Sequence, residues 1–282
     1  MEREFIDFLI VSGANAAIKA GKEIMKLYNS SEEFDASLNS NNTIVTKADR
    51  IAHETIKNQL TTTRIPIMSE EGRNILYEER YSWDLYWLVD PLDGTREFIH
   101  RNDEFVISIS LMNNKNPYFG VIYVPTEDKL YFSDPDRGAF VVEECEKKGE
   151  LFTTSTLFGS ALRLRGRNET RESGIIKIAV TRSHLNSDTI QIIEHIKEQY
   201  KDKEVEVINC GSSKKFCLLA EGNVDIYFRT TPLFDWDIAA GEAIAKAVGA
   251  NIITFNGTPT EYNKEQLIID PFYVSTIEGF TL

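Results

Sequence analysis

Cysteine is scarce in this chain. Its three cysteines, Cys145, Cys210 and Cys217, form no C-x-x-C pair, so neither a thiolate zinc site nor a disulfide scaffold is indicated. So few thiols in 282 residues fit a reducing compartment. No apolar run approaches the roughly 18 to 20 residues of a membrane span, and the opening Met1-Glu2-Arg3-Glu4 lacks the basic start and apolar core of a secretory signal. A basic surplus is missing as well: 44 Asp and Glu stand against 31 Lys and Arg, a formal net charge of −13. That balance argues against binding long nucleic acids through a basic surface. It leaves room for a small anionic substrate, because bound metal ions reverse the local sign. The expectation is a cytoplasmic protein with no transmembrane segment. Peripheral attachment to the inner face of a membrane, and a homodimer, are both compatible with it.

What the chain does contain is core-forming material: 42% of its residues are hydrophobic and 27% charged, ordinary for a folded soluble chain. Phe5, Leu9, Ala16, Ala20, Ile24 and Leu27 recur at helical spacing and predict a long amphipathic helix over 2–28. Asn29 to Asn42 is polar and reads as a loop. Thr46-Lys47-Ala48-Asp49 has the form of a helix N-cap with an acid at N3, and the apolar residues from Ile51 to Leu60 carry that helix onward. Short β segments follow at Ile65 to Met68, Trp83 to Val89, Phe105 to Met112, Tyr118 to Val124, Lys129 to Phe132 and Ala139 to Val142. Lys147 to Gly174, with Arg163, Arg165, Arg167 and Arg171, reads as a linker or flap. Beyond it, strands at Ile175, Val205, Asp225 and Asn251 alternate with helices at Ser187 to Tyr200, Ser212 to Glu221 and Ile238 to Val248. The pattern divides the chain into an α+β half, residues 1–174, and a layered α/β half, residues 175–282.

The chemistry concentrates in Trp87-Leu88-Val89-Asp90-Pro91-Leu92-Asp93-Gly94-Thr95. An apolar strand ends in a carboxylate, proline turns the chain, and a second carboxylate follows three residues later. Two acids converging at a strand end repel and raise each other's pKa unless a cation lies between them. Mg²⁺ suits an all-oxygen site. Gly94 to Ile99 can begin a helix whose amides would face a phosphate. Further acids stand at Asp49, at Glu70-Glu71 and at Asp235-Trp236-Asp237, each where an ordered element meets a turn. Singly, each also reads as a helix cap or a solvated face.

Together, Trp87–Ile99 and Trp236-Asp237-Ile238-Ala239-Ala240-Gly241 resemble the two signatures of the inositol monophosphatase-like superfamily of lithium-sensitive, Mg²⁺-dependent phosphatases. Lys47-Ala48-Asp49 and the Glu70-Glu71 pair stand at matching places ahead of them. Within the superfamily, four segments are similar to the CysQ-type 3'(2'),5'-bisphosphate nucleotidases of sulfur metabolism. They are Gly94-Thr95-Arg96-Glu97-Phe98-Ile99, Thr181-Arg182-Ser183-His184, Gly211-Ser212-Ser213-Lys214-Lys215-Phe216-Cys217 and Ala220-Glu221-Gly222. The resemblance implies an αβαβα sandwich of the sugar-phosphatase type. It implies that Glu70, Asp90, Asp93 and Asp237, with the Leu92 carbonyl, hold two or three Mg²⁺, Mn²⁺ substituting and Li⁺ inhibiting. It implies that Asp49 and Thr95 activate the attacking water, and that Gly94, Thr95, Thr181, His184, Gly211, Lys215 and Asp237 hold a bisphosphate nucleotide.

Other readings have their own signals. Inositol monophosphatase-like activity would use the same metals. Haloacid dehalogenase phosphatases place two aspartates two apart, whereas Asp90 and Asp93 are three apart with proline between. A binding module without turnover would be expected to have lost an acid of the set, and none is missing. On the residues alone, His184 also reads as a turn residue, and Lys214 with Lys215 as an exposed charge pair.

Overall fold

The computed structural model describes residues 1–30, 37–38, 44–146, 151–166, 174–182 and 186–282. The chain opens with helix α1 (Arg3–Tyr28), a two-stranded hairpin β1 (Ser37–Leu38) and β2 (Ile44–Val45), and helix α2 (Lys47–Leu60). There follow β3 (Ile67–Ser69), the short α3 (Tyr77–Arg80), β4 (Leu85–Asp93) and α4 (Thr95–Ile99). The meander β5 (Val106–Asn113), β6 (Asn116–Val124), β7 (Lys129–Asp134) and β8 (Gly138–Glu143) leads to α5 (Thr154–Ser160) and β9 (Leu162–Arg163). Strands β3 to β9 make one seven-stranded sheet in sequence order, antiparallel except for β3 with β4.

Alternation along β4 shows why its apolar run is continuous. Trp87 and Val89 enter the core beneath α1 and α2, while Tyr86 and Leu88 enter a second core on the opposite face. A sheet covered on both faces needs no polar alternation. Helix α1 lies on the first face through Ile6, Leu9, Ile10, Gly13 and its alanines; Phe5, expected on that face, is 41% exposed. The buried set runs one step round the helix from Phe5, so the ring falls outside the stripe.

The remaining elements are β10 (Ile175–Thr181), α6 (Ser187–Gln199), β11 (Glu204–Cys210), α7 (Lys214–Ala220), β12 (Ile226–Arg229), β13 (Leu233–Phe234), α8 (Asp235–Ala247), β14 (Asn251–Thr254), β15 (Ile268–Ile269) and β16 (Phe272–Ser275). Five of these strands form a second sheet in the order β11-β10-β12-β16-β14. Its outer face packs on α6 through Ile178, Ile193, Ile196 and Phe228. Its inner face, through Ala179, Tyr227, Phe272 and Val274, shares one core with α7, α8 and the far face of the first sheet. The layers are therefore α1 and α2, seven strands, α7 and α8, five strands, and α6: an αβαβα sandwich. The change of sheet falls between β9 and β10, and α7 and α8 from beyond that point fill the space between the sheets. Small residues set the spacing. A Cβ on Gly120 of β6 would lie 2.1 Å from the Ala240 carbonyl oxygen of α8, so only glycine admits the helix this close.

Three expectations are corrected. Proline does not end β4; Asp90 pairs with Ser108 and Asp93 with Val106, so Pro91 and Leu92 together face Ile107 as a bulge. Proline has no N–H for the ladder, and a bulge removes that demand. Within the expected flap, α5 and β9 are ordered: Thr153 caps α5, Leu157 is buried, and Leu162 and Arg163 pair with β8. Arg163 and Arg165 are exposed there, while Arg167 and Arg171 lie outside the described residues. Helix α7 begins at Lys214 because Ser212 takes a left-handed φ of 49°. Among the described residues no helix is long and apolar enough to cross a membrane.

Candidate active site

Helix α2 carries the first acid inward. Asp49 is buried, and its Oδ2 accepts from the Thr46 N–H (2.7 Å) and the Thr46 hydroxyl (2.6 Å), closing a capping box. That leaves Oδ1 for the Thr95 hydroxyl at 3.0 Å. The same hydroxyl lies 3.3 Å from the Leu92 carbonyl oxygen, so one proton has two acceptors. One turn after Asp49, His53 Nδ1 meets Ser69 Oγ at 2.9 Å and joins α2 to the strand that ends beside Glu70. The Glu70 N–H donates to Val89 O (3.1 Å), which holds Glu70 against β4 just ahead of Asp90.

The bulge in β4 then separates the two aspartates. Asp90 is 2% exposed and accepts the Leu92 N–H at 3.1 Å. Gly94 follows with φ +97°, a left-handed conformation that a side chain at this position resists, and this turns the chain into α4. Asp93 Oδ2 accepts the Ser213 N–H at 2.5 Å, and Ser213 Oγ donates to the Asp237 carbonyl at 2.7 Å. Asp237 is the N3 residue of α8, and its Oδ2 takes the Phe234 N–H at 2.9 Å, as Asp49 does for α2. Helix α8 thus starts at Asp235, three residues earlier than its apolar pattern indicated.

Asp49, Glu70, Asp90, Asp93 and Asp237 lie in one another's field. Burial, then repulsion by Asp237 and other neighbours, raises the Glu70 carboxyl well above its ordinary value. Burial followed by Glu70 and Asp93 does the same for Asp90. Asp93 is raised, chiefly by burial, against the pull of Ser213 and Lys215. Asp237 is pushed up to about 7 by burial and Asp93. Asp49 is raised by burial against its Thr46 and Thr95 hydrogen bonds. Among the described residues no three His, Cys, Asp or Glu side chains close on one point as a ready-made cage. Capping hydrogen bonds hold Asp49 and Asp237 each to its own helix, and the Ser213 N–H holds Asp93 against the turn before α7. The donor set is all oxygen and all acidic, which suits a hard divalent cation.

The second sheet supplies the opposite wall. Strand β10 lies between β11 and β12 and parallel to both, so the chain leaves β10 first to one side and then to the other. Such a switch point opens a crevice at the strands' carboxyl ends. Thr181, Ser212 and Arg229, from those three ends, line a cavity of about 150 Å³ together with Asp93, Gly94 and Asp237. Arg96, Glu97 and Lys215 border it as well. The volume falls below the about 300–1,000 Å³ of drug-sized sites.

Of the expected substrate residues, Gly94, Thr181, Lys215 and Asp237 line this cavity, while Thr95 and Gly211 do not; the Gly211 N–H goes to Glu104 at 2.9 Å. His184 lies outside the described residues. Lys215 is no exposed charge: it is 3% exposed, and its ammonium donates to Cys210 O (3.0 Å) and Ser212 O (2.6 Å) beside the Tyr227 ring. Burial lowers its pKa. Sequence reasoning missed Ser213, Arg229 and the Glu104–Arg182 fork (2.6 and 3.0 Å), which braces the Gly211 turn. Ser213 sits inside a quoted segment, but nothing in that segment shows that it bridges two acids.

Comparison with known proteins identifies the family and the fold. Residues 7–278 match the model of the inositol monophosphatase family. The 3'(2'),5'-bisphosphate nucleotidase CysQ of Escherichia coli strain K12 is 33% identical over 257 residues, 90% of this chain and 94% of that protein. The crystal structure of CysQ from Bacteroides thetaiotaomicron superposes with a TM-score of 0.83 at 38% identity, covering 95% of this chain and 97% of that one. A lithium-soaked inhibitory complex of staphylococcal inositol monophosphatase-1 shares the fold, with a TM-score of 0.66 at 19% identity over 90% of this chain and 84% of that one.

Proposed function

This chain belongs to the inositol monophosphatase family, and from that footing we propose that it is a 3'(2'),5'-bisphosphate nucleotidase. It converts 3'-phosphoadenosine 5'-phosphate to AMP and phosphate, with 3'-phosphoadenylyl sulfate a second substrate. The observation that carries the reading is the mixed lining of the small cavity, which combines the acids Asp93 and Asp237 with the cations Arg96, Lys215 and Arg229. The acids serve the phosphate that is cleaved, and the cations serve the one that is kept. An inositol monophosphate has only the first.

Glu70, Asp90, Asp93 and Asp237, with the Leu92 carbonyl, are the residues that would hold Mg²⁺. Bound there, divalent cations supply charge neutralisation and Lewis acidity to the phosphate. The protein's own share is proton handling and orientation. Thr95 Oγ1, 3.0 Å from Asp49 Oδ1, takes the proton of the attacking water as it passes its own to the carboxylate. Asp49 Oδ2 is occupied by Thr46, so a single oxygen is left as acceptor. Burial raises that carboxyl's affinity for the proton. The attacking oxygen comes from water, and no phosphoenzyme forms. Lys215, tethered to two carbonyls, and Arg229 fix the retained phosphate.

The test is phosphate release from 3'-phosphoadenosine 5'-phosphate and from inositol 1-phosphate, each with Mg²⁺, with Mn²⁺, with added Li⁺ and with chelator. Preference for the nucleotide, dependence on Mg²⁺ and inhibition by Li⁺ are expected. Preference for the inositol phosphate overturns the substrate assignment, and undiminished release in chelator overturns the metal assignment.

A further inference from the structure

Apart from the site just described, a second buried polar network spans the molecule, and its centre is Arg80. This residue is 2% exposed in α3, in the loop that follows Glu70 and Glu71. Its guanidinium is spread over four oxygens. Nε donates to Ile75 O (3.3 Å), Nη1 to Asn263 Oδ1 (2.5 Å) and Lys264 O (2.8 Å), and Nη2 to Glu265 O (2.9 Å). Asn263 returns the grip, its Nδ2 donating to Arg80 O at 2.8 Å. The Asn263 N–H then donates to Asp235 Oδ2 at 2.8 Å. Asp235 is the first residue of α8 and fully buried, and its Oδ1 has no hydrogen-bond partner among the described residues. One backbone N–H therefore sets the orientation of that carboxylate.

Two residues along a helix correspond to about 200° of rotation. Asp235 and Asp237 thus point to nearly opposite sides of the first turn of α8, one toward Asn263 and the other toward the cavity. A turn of the helix start that frees Asp235 swings Asp237 by the same angle. We infer that Arg80 is a positioning residue for Asp237. Its planar fork ties the loop after Glu70 to the 263–265 segment, whose Asn263 N–H holds the first side chain of α8. The carboxylates contributed by the two ends of the chain are thereby held in register. The inference rests on the reading of Asp237 as a metal ligand. A lysine offers a point charge with three donors and cannot reproduce the fork across two segments.

The experiment titrates the full-length, substrate-free protein with Mn²⁺ and reads the free ion by electron paramagnetic resonance. Arg80→Lys keeps the charge and removes the fork. Asn263→Gly tolerates the left-handed φ of 54° and keeps the N–H to Asp235, but removes the exchange with Arg80. Both variants are expected to bind Mn²⁺ about tenfold or more weakly, the scale of lost support behind a metal ligand. The nucleotide KM at saturating Mg²⁺ should stay near that of the parent. A variant that melts lower yet binds Mn²⁺ like the parent reduces Arg80 to a packing residue and overturns the inference. If Arg80→Lys does not fold, Asn263→Gly decides. Asp237→Asn separates the two ideas. A parental isotherm there refutes the ligand reading, while weakened binding there with parental isotherms in both clamp variants refutes the clamp alone.

Discussion

At the start of α1, half-buried Asp7 and buried Asp134 face arginines. Arg3 reaches both, with Nη1 3.0 Å from Asp134 Oδ1, and Arg137 lies 3.1 Å from Asp7. Burial works against the Asp7 carboxylate, but Arg3 and Arg137 hold it below its ordinary value. Across the sheet's other connections, Asp49, Glu70, Asp90, Asp93 and Asp237 are drawn together near Arg96, Lys215 and Arg229, and their pKa values are raised. Both clusters are acidic and enclosed. The difference is the partner: the first is complete within the chain, and the second gathers more acid than the chain neutralises. Buried carboxylates that face arginine join elements, whereas carboxylates that face one another are what a divalent cation would complete.

The sharpest way to break this comparison is to remove one acid from each cluster. Asp90→Asn or Asp93→Asn should lower turnover by at least about a hundredfold, the scale of losing one group that stabilises transition-state charge, while metal-free protein melts no lower than the parent. Asp134→Asn should do the reverse, lowering the melting temperature and sparing kcat. Normal turnover in both site variants would refute the metal assignment. Thr95→Ala comes next. It should reduce kcat about a hundredfold through loss of the proton relay, with a smaller change in KM, and a pure affinity loss would contradict that role. Arg3→Met should cost about 2–3 kcal/mol in a denaturant titration. That is less than a fully enclosed pair, because Arg3 keeps 33% of its side chain exposed.

The smallest effect is on pH dependence. The site acids bind their protons more tightly folded than unfolded, so the stability they contribute is present below the unfolded carboxyl range. It is lost as pH rises through about 7, the Asp237 value. Metal-free protein should therefore melt a few degrees lower at pH 8 than at pH 6, and Mg²⁺ should remove the difference. Asp7 has the opposite sign: its contribution is lost as pH falls through its depressed value. A melting temperature flat from pH 6 to pH 8 without metal would show that the site acids are not coupled as described.

Much of the site was visible in short stretches of sequence. Asp49 at N3 of α2 followed from four consecutive residues, because a capping box is a local arrangement of side chain and backbone. The β4 segment was legible from its apolar run, but its course past Pro91 was not, since whether a proline turns a strand or bulges it depends on the neighbour that pairs with it. Lys215 was ambiguous for a similar reason. A pair of lysines looks the same whether a sheet covers one of them or not. Arg80 and Asn263 gave no signal at all, being 183 positions apart.

By itself the sequence determined the longer helices and strands, the capping box at Asp49, and which acids the chain carries. Those depend on interactions within a few residues, which periodicity and capping chemistry report directly. Only the tertiary structure decided which charges meet. Ser213 joins Asp93 to Asp237, Arg229 faces the acids across the crevice, and Arg80 reaches the start of α8. Each of these contacts is made by stacking two sheets around α7 and α8, and the energy of a buried charge depends on neighbours that only that stacking supplies.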